Sequence, residues 1–275
     1  MSKHLFASKV LPSRVSTRGS RYKELLISMT WREFQMRYRG SFGGVLWSVV
    51  QPLFMIVVYT VVFSMLLKVR FGGSESPFAF AVYAMCGVLP FQALSEGLSK
   101  SATVITDNVN LVKRVVFPLE ILPLSLTMNA LLHQMIGLCM LLPFACLLTG
   151  HVYWTFILLP LIVFLQLCFS AGLNWLLAGL AVYVPDLSQV VSMVLPVWMF
   201  LTPILYPEDL VPVKYSIFLR VNPLAGLVHC YRAIIMRGEV PELSILLWTS
   251  VPCLAVFFFG NYLFIKIKKG FSDVI

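Results

Sequence analysis

Long apolar runs dominate the sequence and limit the class of protein that it can form. A helix needs about 20 apolar residues to cross the hydrocarbon core of a bilayer. Six runs are candidates, at residues 46–67, 78–98, 121–148, 154–183, 190–205 and 243–267. Only 12% of the 275 residues are charged, whereas soluble domains carry about 25%. The sequence therefore predicts an all-α membrane protein with six transmembrane helices in a single domain over residues 40–270.

The fifth run is short, and prolines recur within it and after it. Non-helical backbone is tolerated at membrane depth where other parts of the protein bury it. The stretch that follows is too apolar for a solvated loop and too interrupted to span. We therefore predict re-entrant helices in residues 202–228, between spans five and six, that close the outer side of the membrane. The residues assigned to this outer gate are Pro203, Pro207, Glu208 and Pro212.

The distribution of basic residues predicts the orientation. Nine Lys and Arg residues precede the first run. Three more follow the second run, and another three lie in the C-terminal tail, from Lys266 onwards. Cytoplasmic segments of membrane proteins are enriched in these residues. Both termini are therefore expected in the cytoplasm. The net charge of +9 follows from the same rule and from attraction to anionic lipid, so we do not expect nucleic acid as a partner.

A helix is predicted at residues 21–39, after a flexible basic arm at residues 1–20. This segment contains neither proline nor glycine. At 3.6 residues per turn it has two apolar stripes on roughly opposite sides. One stripe contains Tyr22 and Met29, and the other contains Trp31 and Phe34. Such a helix can lie at the membrane interface and pack against a partner. Simple anchoring of the first span is the alternative.

The cytoplasmic segment at residues 99–118 is longer than a tight connection needs. We predict that it is largely helical, with a docking or gating role. A solvated connector is the alternative interpretation. Its exposed polar side chains and terminal basic pair are expected to be Asp107, Asn108, Asn110, Lys113 and Arg114.

Several sequence motifs that would indicate ATP binding, hydrolysis or metal binding are absent from the sequence. No phosphate-binding loop GxxxxGK[ST], no HExxH and no GxSxG occurs, so neither ATP binding nor these hydrolase mechanisms are expected of this chain. The six cysteines show no CxxC spacing and the four histidines are scattered, so no metal site is expected. Mid-span polar residues such as Asn129, His133, Gln134 and Asn174 are interpreted as interhelical hydrogen-bonding groups. Uphill transport would therefore draw energy from another subunit.

Aromatic residues make up 13% of the chain. Aromatic rings stack on the faces of sugars, so an aromatic-lined channel would suit a glycan. Lipid-facing rings and interface belts are the commoner explanation. The candidates for the channel are Trp47, Tyr59, Phe63, Phe91, Trp198, Phe200 and Tyr206.

Six motifs occur in an order and spacing that resemble one family. They are RYRGSFGGVLWSVVQPL (37–53), GVLPFQALSEGLSKS (87–101), NVNLVKRVVFPLEILPL (108–124), VPDLSQVV (184–191), FLTPILYPEDLVP (200–212) and NPLAGLVHCYR (222–232). Together they resemble the permease subunits of polysaccharide ABC exporters, the type 2 ABC permeases that move O-antigen, capsule or teichoic acid. The resemblance covers residues 21–268. Each motif alone is weak, but six in order are specific.

The resemblance implies a half-transporter in the bacterial cytoplasmic (inner) membrane. Two copies of the chain would form the channel as a homodimer. Two separate ATP-binding cassette subunits would bind ATP and Mg²⁺, so this chain would have no cofactor and no enzymatic activity of its own. The substrate would be a glycan on a polyprenyl diphosphate or another lipid. The alternatives are a type 2 ABC permease for a small amphiphile or drug, and a membrane-embedded transferase or scaffold.

The resemblance also implies that helix 21–39 and loop 99–118 contact the ATPase. The residues assigned to this coupling are Arg32, Glu33, Arg37, Asp107, Asn108 and Asn110. Basic side chains at the cytoplasmic entrance are candidates to receive the diphosphate, although the positive-inside rule alone also accounts for them. These entrance residues are Arg37, Arg39, Lys113 and Arg114.

Overall fold

The computed structural model describes most of the chain. The described residues are 18–66, 78–113, 117–208, 211, 212, 214 and 216–274. The predicted basic arm at residues 1–20 therefore lies almost entirely outside the described residues, and so does Arg114 of the predicted entrance.

All regular structure within the described residues is helical. The α-helices are α1 (Arg18–Tyr38), α2 (Trp47–Tyr59), α3 (Ala79–Ser101), α4 (Val109–Val112), α5 (Ile121–Thr149), α6 (Leu159–Ala181), α7 (Leu187–Leu201), α8 (Ser216–Val221), α9 (Pro223–Arg232), α10 (Leu243–Ile267) and α11 (Phe271–Val274). π-Helical turns continue α2 and α9, at Thr60–Leu66 and Ala233–Arg237. Short 3₁₀ turns adjoin α2, α4, α6 and α10, at Gly44–Leu46, Thr106–Asn108, Trp154–Leu158 and Lys268–Gly270.

Five helical segments among the described residues are long and apolar enough to cross a membrane. They are Gly44–Phe63, Ala79–Ser101, Ile121–Thr149, Trp154–Ala181 and Leu243–Gly270. The prediction of an all-α membrane protein is therefore confirmed. The predicted run at residues 190–205 corresponds to α7, an apolar helix of 15 residues. A helix of that length spans about 22 Å, less than the roughly 30 Å hydrocarbon core, so the count of six spans stays a prediction.

Helix α3 lies at the centre of the bundle and α10 at its edge. In the most apolar part of α3, 83% of the residues are buried, against 17% in α10. The backbones of α6 and α10 nevertheless touch, because both helices place a glycine at their crossing. A Cβ on Gly260 would lie 2.1 Å from the carbonyl oxygen of Gly172, and a Cβ on Gly172 would lie 2.4 Å from that of Val256. Only glycine fits at such a contact.

The bundle has two distinct ends. At one of them the amino group of Lys268 lies 2.9 Å from the carboxylate of Glu120, which joins α10 to the start of α5. We call this the α1 end, because α1 also packs there. At the opposite end, the Thr155 hydroxyl donates to the carbonyl of Ile234. We call this the α9 end, because α9 and its π-helical continuation pack there.

Helix α1 packs along α5 through one stripe of its surface. Thr30 and Phe34 are buried, and Tyr22 is half-buried. On the other side, Ile27 and Trp31 are 57% and 55% exposed. The covered stripe thus takes residues from both predicted apolar stripes. An apolar surface remains on the outward side, as expected for a helix that lies at the membrane interface.

The segment after α3 is not one continuous helix. Backbone turns follow Ser101, and the helical pieces beyond them are the 3₁₀ turn Thr106–Asn108 and α4. The break coincides with the four β-branched residues at 103–106, a residue type that lowers helix propensity. Residues 114–116 lie outside the described part of the chain.

Candidate functional site

A polar cavity opens at the α1 end, between α1, α2, α3 and α5. Its volume is about 500 Å³, within the usual range for ligand pockets of roughly 300–1,000 Å³. The polar and aromatic residues that line this α1-end cavity are Arg37, Tyr38, Ser48, Gln51, Gln92, Ser95, Glu96, Lys100, His133 and Gln134. Four helices thus enclose a site with charged and amide groups. Such groups in a membrane helix face protein or water rather than lipid.

The charged part of the α1-end cavity is a three-residue ion cluster. Glu96 accepts a hydrogen bond from Arg37 of α1 and another from Lys100, at 2.8 Å, one turn along α3. The Arg37 and Glu96 side chains are 28% and 19% exposed. Two cations therefore share one carboxylate, and the cluster keeps a net positive charge. It also ties the end of α1 to the central helix.

Stacked rings hold the same part of α1 against α5. The Phe34 ring lies 5.1 Å from the imidazole of His133 at an interplanar angle of 19°, and Trp31 stacks on Phe34 from the outer side. His133 Nδ1 lies 2.9 Å from the carbonyl oxygen of Asn129, so this nitrogen carries the proton and donates. His133 thus contacts its own helix and α1, whereas the sequence predicted an interhelical hydrogen bond for it.

Beyond the cavity, two buried glutamines and a tyrosine form an amide network in the middle of the bundle. Gln134 of α5 and Gln166 of α6 donate to each other, at 2.8 and 2.6 Å. The Tyr231 hydroxyl of α9 donates to Gln166 at 2.7 Å and accepts from Gln134 at 3.0 Å. Gln166 also donates to the carbonyl of Pro90, within α3, at 3.2 Å. Four helices therefore meet at one satisfied polar network.

Next to Tyr231, towards the α9 end, lies a charged cluster that we call the outer cluster: Glu208, His229, Arg232 and Arg237. His229 Nδ1 donates to Glu208 at 2.8 Å, and His229 Nε2 accepts from Arg237 at 3.1 Å. Burial would raise the pKa of Glu208, but the hydrogen bond from His229 and the nearby positive charges hold it below its ordinary value. The carboxylate is thus kept ionised.

Arg232 is the most buried charge of the outer cluster, at 5% exposure. Its guanidinium carbon lies 3.5 Å from the centre of the Tyr83 ring, a cation–π contact. It donates to the carbonyl of Ile204 at 2.8 Å and lies 3.6 Å from the carboxylate of Glu208. The Tyr83 hydroxyl in turn donates to the carbonyl of Tyr206. Arg232 therefore holds the chain after α7 against α3.

Asn222 fixes the start of α9. Its side-chain oxygen accepts from the backbone N–H of Leu224, which caps the helix, and from the indole of Trp198. Its amide group donates to the hydroxyl of Thr202. An N-cap asparagine followed by proline is a strong helix start, and here the same side chain also joins α7 to α9.

A second cavity, of about 470 Å³, lies beside the outer cluster. We call it the α9-end cavity. It lies between the chain after α7, α9 and the first turns of α10. Its polar and aromatic lining residues are Glu208, Arg220, Asn222, His229, Glu242, Ser244, Trp248 and Thr249.

The structure brings only part of the predicted entrance together. Arg37 lines the α1-end cavity. Arg39 and Lys113 are exposed and outside that lining, and Arg114 lies outside the described residues.

The predicted coupling residues lie on two separate surfaces of the α1 end. Arg32 and Glu33 form a 3.4 Å ion pair on α1, while Asp107 and Asn110 are exposed and Asn108 donates to the carbonyl of Val104.

The seven predicted channel aromatics do not share a surface of the single chain. Phe91 is 7% exposed and belongs to the core, whereas Trp47 and Phe200 are 53% and 71% exposed. Phe63 stacks on Phe80, with ring centres 4.1 Å apart. The remaining three, Tyr59, Trp198 and Tyr206, are half-buried. A channel lined by these rings stays a prediction.

The predicted outer gate lies in the irregular chain after α7. Pro203 is buried and lines the α9-end cavity together with Glu208. Pro207 is half-buried and Pro212 is exposed. Glu208 is the one of these residues that forms the ion pairs of the outer cluster. Among the described residues, no group of three or more His, Cys, Asp or Glu is placed to hold a metal ion.

Sequence reasoning missed most of the partners in these sites. The sequence analysis assigned no role to Glu96, Lys100, Gln166, Tyr231 or Arg232. Gln166 was detectable as an uncharged polar residue within an apolar run. The pairing of Tyr231 with two glutamines depends on tertiary packing and has no sequence signal.

Helices long and apolar enough to cross a membrane thus surround charged and amide-lined cavities. A family model described as ABC-2 type transporter matches residues 24–236. The chain therefore belongs to the ABC-2 type transporter family.

Similar proteins cover most of the chain. The O-antigen export system permease protein RfbA of Myxococcus xanthus is 29% identical over 256 residues, which are 92% of this chain and 96% of that protein. RfbA of Klebsiella pneumoniae is 28% identical over 92% of this chain and 95% of its own length. The polysialic acid transport protein KpsM of Escherichia coli is 22% identical over 85% of this chain and 89% of its own length.

Proposed function

We propose that this chain is the permease subunit of an ATP-driven exporter that moves lipid-linked polysaccharide across the bacterial cytoplasmic membrane. The observation that carries the proposal is the full-length similarity to O-antigen export permeases, over 92% of the chain. The similar KpsM is named as a polysialic acid transport protein, so a second relative is also named for a polysaccharide. The substrate is therefore a long glycan on a lipid anchor, rather than a small amphiphile.

The α1-end cavity is the proposed entrance for the head of the lipid carrier. Its ion cluster has two cations for one carboxylate, and a positive site favours a diphosphate. Arg39, Lys113 and Arg114 would extend this basic entrance towards the cytoplasm. Gln51, Gln92 and Gln134 supply amide groups on its walls, which suit the hydroxyl groups of the first sugars.

The proposed topology has six spans with both termini in the cytoplasm, so that the α1 end is cytoplasmic. Helix α7 would be the fifth, short span. Two observations support this assignment. The start of α7 follows the end of α6, which lies at the α1 end, and Trp198 near the other end of α7 donates to Asn222, the N-cap of α9. The segment at residues 202–228 would then be re-entrant. Ile204 supports this, since it packs against Gly87, well inside α3.

Two copies of the chain and two ATP-binding cassette subunits complete the proposed exporter. The ATPase subunits would bind ATP and Mg²⁺ and dock on α1 and on residues 99–118, through Arg32, Glu33, Arg37, Asp107, Asn108 and Asn110. The exposed apolar face of α1 and the ion pair between Arg37 and Glu96 connect this docking surface to the cavity. Movement of α1 would thus reach α3 directly.

Deletion of the gene tests the proposal. We expect loss of surface polysaccharide and accumulation of lipid-linked glycan in the cytoplasmic membrane, both restored by the intact gene. Surface glycan that is unchanged, together with sensitivity to small amphiphiles, would support export of a small amphiphile instead. As a second test, the purified chain alone should hydrolyse no ATP, and clear hydrolysis would contradict an energy supply from partner subunits.

A further inference from the structure

The α9-end cavity has the size and chemistry of a small carbohydrate site. Its volume of about 470 Å³ falls within the range of ligand pockets, about 300–1,000 Å³. Carboxylates, an amide and hydroxyls line it, through Glu208, Glu242, Asn222, Ser244 and Thr249. Carboxylate and amide oxygens accept hydrogen bonds, and hydroxyls both donate and accept. Together they match the hydroxyl groups around a sugar ring.

Trp248 supplies the apolar contact that a sugar ring requires. It lies on the second turn of α10, lines the cavity and is 68% exposed. An aromatic ring of this kind offers a flat apolar surface to the C–H groups on one face of a sugar. A tryptophan near a helix end is also typical of a membrane-interface belt. Trp248 differs from a belt residue because polar hydrogen-bonding groups share its cavity.

Two polar groups of the cavity, those of Glu208 and Asn222, are held in place by neighbouring side chains. Glu208 is fixed by His229 at 2.8 Å and lies 3.6 Å from Arg232. Asn222 is fixed by bonds to three neighbours, as described above. The wall between α9 and α10 is closely packed, because a Cβ on Gly226 would lie 2.1 Å from the Thr249 hydroxyl. A site with fixed polar groups loses little entropy when a ligand binds.

The charge of the lining selects the class of sugar. Two carboxylates, Glu208 and Glu242, line the cavity, against one guanidinium, that of Arg220. His229 already shares its two ring nitrogens with Glu208 and Arg237. The cations beside Glu208 are already paired, Arg232 with Glu208 and Arg237 with Glu239, so an acidic sugar would have to compete with these carboxylates for them. A neutral sugar avoids that cost.

We propose that the α9-end cavity is a subsite that binds one neutral sugar residue of the glycan as it leaves the membrane, stacked on Trp248 and hydrogen-bonded by Glu208 and Glu242. This inference rests on the proposed export of a polysaccharide. The inference adds a binding subsite for the glycan at the outer side of each chain. The sugars expected to bind there are neutral hexoses or deoxyhexoses.

Sugar binding to the purified full-length chain in lipid nanodiscs tests the subsite. Saturation-transfer NMR would be recorded with the methyl glycosides of mannose, galactose and rhamnose, and with methyl glucuronide as the acidic probe. We expect transfer to at least one neutral glycoside and little to the glucuronide. Absence of transfer to every neutral probe, or equal transfer to the glucuronide, would overturn the proposal.

Variants locate the binding. Trp248→Ala should weaken the neutral signal about threefold to tenfold, the usual range for loss of an aromatic contact, and Trp248→Phe should retain most of it. Trp154→Ala is the matched control, because Trp154 is also 68% exposed but lies outside the cavity lining. An equal loss in both alanine variants would overturn the assignment. If Trp248→Ala does not fold, Glu242→Gln provides the same test, with an expected loss of about threefold.

Different experimental results would refute the proposed subsite and the proposed export function. If deletion of the gene leaves surface glycan unchanged, the proposed function is wrong whatever the binding result. If deletion removes the glycan but Trp248→Ala binds the neutral glycosides as the unsubstituted chain does, the function stands and the subsite is wrong.

Discussion

At the scale of single residues, Glu96 is the residue on which the position of α1 depends most. It is the carboxylate that accepts from both Arg37 and Lys100. The distance along the chain from Arg37 to Glu96 is 59 residues, so this contact fixes tertiary structure rather than local structure. Both side chains are partly exposed, so solvent screening limits the contribution of the pair.

Glu96→Gln is expected to loosen α1 from the bundle. The amide cannot balance two cations, so we expect a loss of about 1 kcal/mol in the free energy of unfolding. Trypsin should cleave within α1 faster than in the unsubstituted chain. Glu33→Gln is the control, since it removes only the 3.4 Å pair with Arg32 within the same helix. Equal cleavage of the two variants would show that the Arg37–Glu96 pair does not hold α1.

Glu208 gives the outer cluster a dependence on pH. Its pKa in the folded chain lies below its ordinary value of 4.5. A carboxylate of this kind stabilises the fold fully above the unfolded-state pKa, and the contribution is lost as pH falls through the lower folded-state pKa. Relative to Glu208→Gln, the chain should therefore be more stable by about 1 kcal/mol at pH 7, and this difference should shrink below pH 4.5.

Thermal unfolding of the purified chain and of Glu208→Gln, from neutral to acidic pH, measures that difference. Glu239→Gln is the control, because Glu239 is exposed and pairs only at the surface with Arg237 at 3.4 Å. Its effect should stay within about 0.5 kcal/mol at every pH. A constant difference between the chain and Glu208→Gln down to pH 3 would contradict the role of the ionised carboxylate.

At the scale of helices, the long apolar elements were predictable because their composition alone determines them. In a bilayer every backbone group must be paired within the helix, so a long apolar run has one stable structure. The runs at 121–148 and 243–267 correspond closely to α5 (Ile121–Thr149) and α10 (Leu243–Ile267). The segment at 99–118 was predicted less well, because a local β-branched stretch breaks the helix there.

The polar sites were less predictable than the helices. Which face of α1 is covered depends on the position of α5, and the partner of Arg37 depends on how α3 packs. Gln134 was identified from sequence as an interhelical hydrogen-bonding residue, and its bonds to Gln166 and Tyr231 confirm this. Its partners lie 32 and 97 residues away. A short sequence motif cannot predict a contact between residues that lie so far apart along the chain.

The crossing of α6 and α10 should be sensitive to one methyl group. A Cβ on Gly260 would lie 2.1 Å from the carbonyl oxygen of Gly172, and backbone cannot move aside as a side chain can. We expect Gly260→Ala to destabilise the fold by about 1–3 kcal/mol, measured by thermal unfolding in detergent. Gly19→Ala is the control, because nothing lies within 4 Å of that position in α1. Equal stability of the two variants would show that α6 and α10 do not cross in contact.

At the scale of the whole molecule, the single chain leaves broad apolar surfaces uncovered. The outward faces of α2, α7 and α10 include Phe54, Met193 and Phe258, which are 61%, 73% and 66% exposed. In a bilayer, lipid tails cover such faces, and the proposed second copy would replace lipid over part of them. By contrast, the two cavities and the amide network between them place polar groups inside the bundle.

The proposed topology depends on α7, the shortest of the proposed spans. In a six-span topology, Ser188 at its start is cytoplasmic and Glu239 after α9 is outside. We expect a membrane-impermeant maleimide to label Glu239→Cys in intact spheroplasts, and to label Ser188→Cys only after permeabilisation. The unsubstituted chain, with its six cysteines, supplies the background. If both variants react only after permeabilisation, α7 does not cross and the chain has five spans. That result would contradict the contact between Lys268 and Glu120, which places the end of α10 on the same side as the start of α5, and it would also exclude the subsite for the departing glycan.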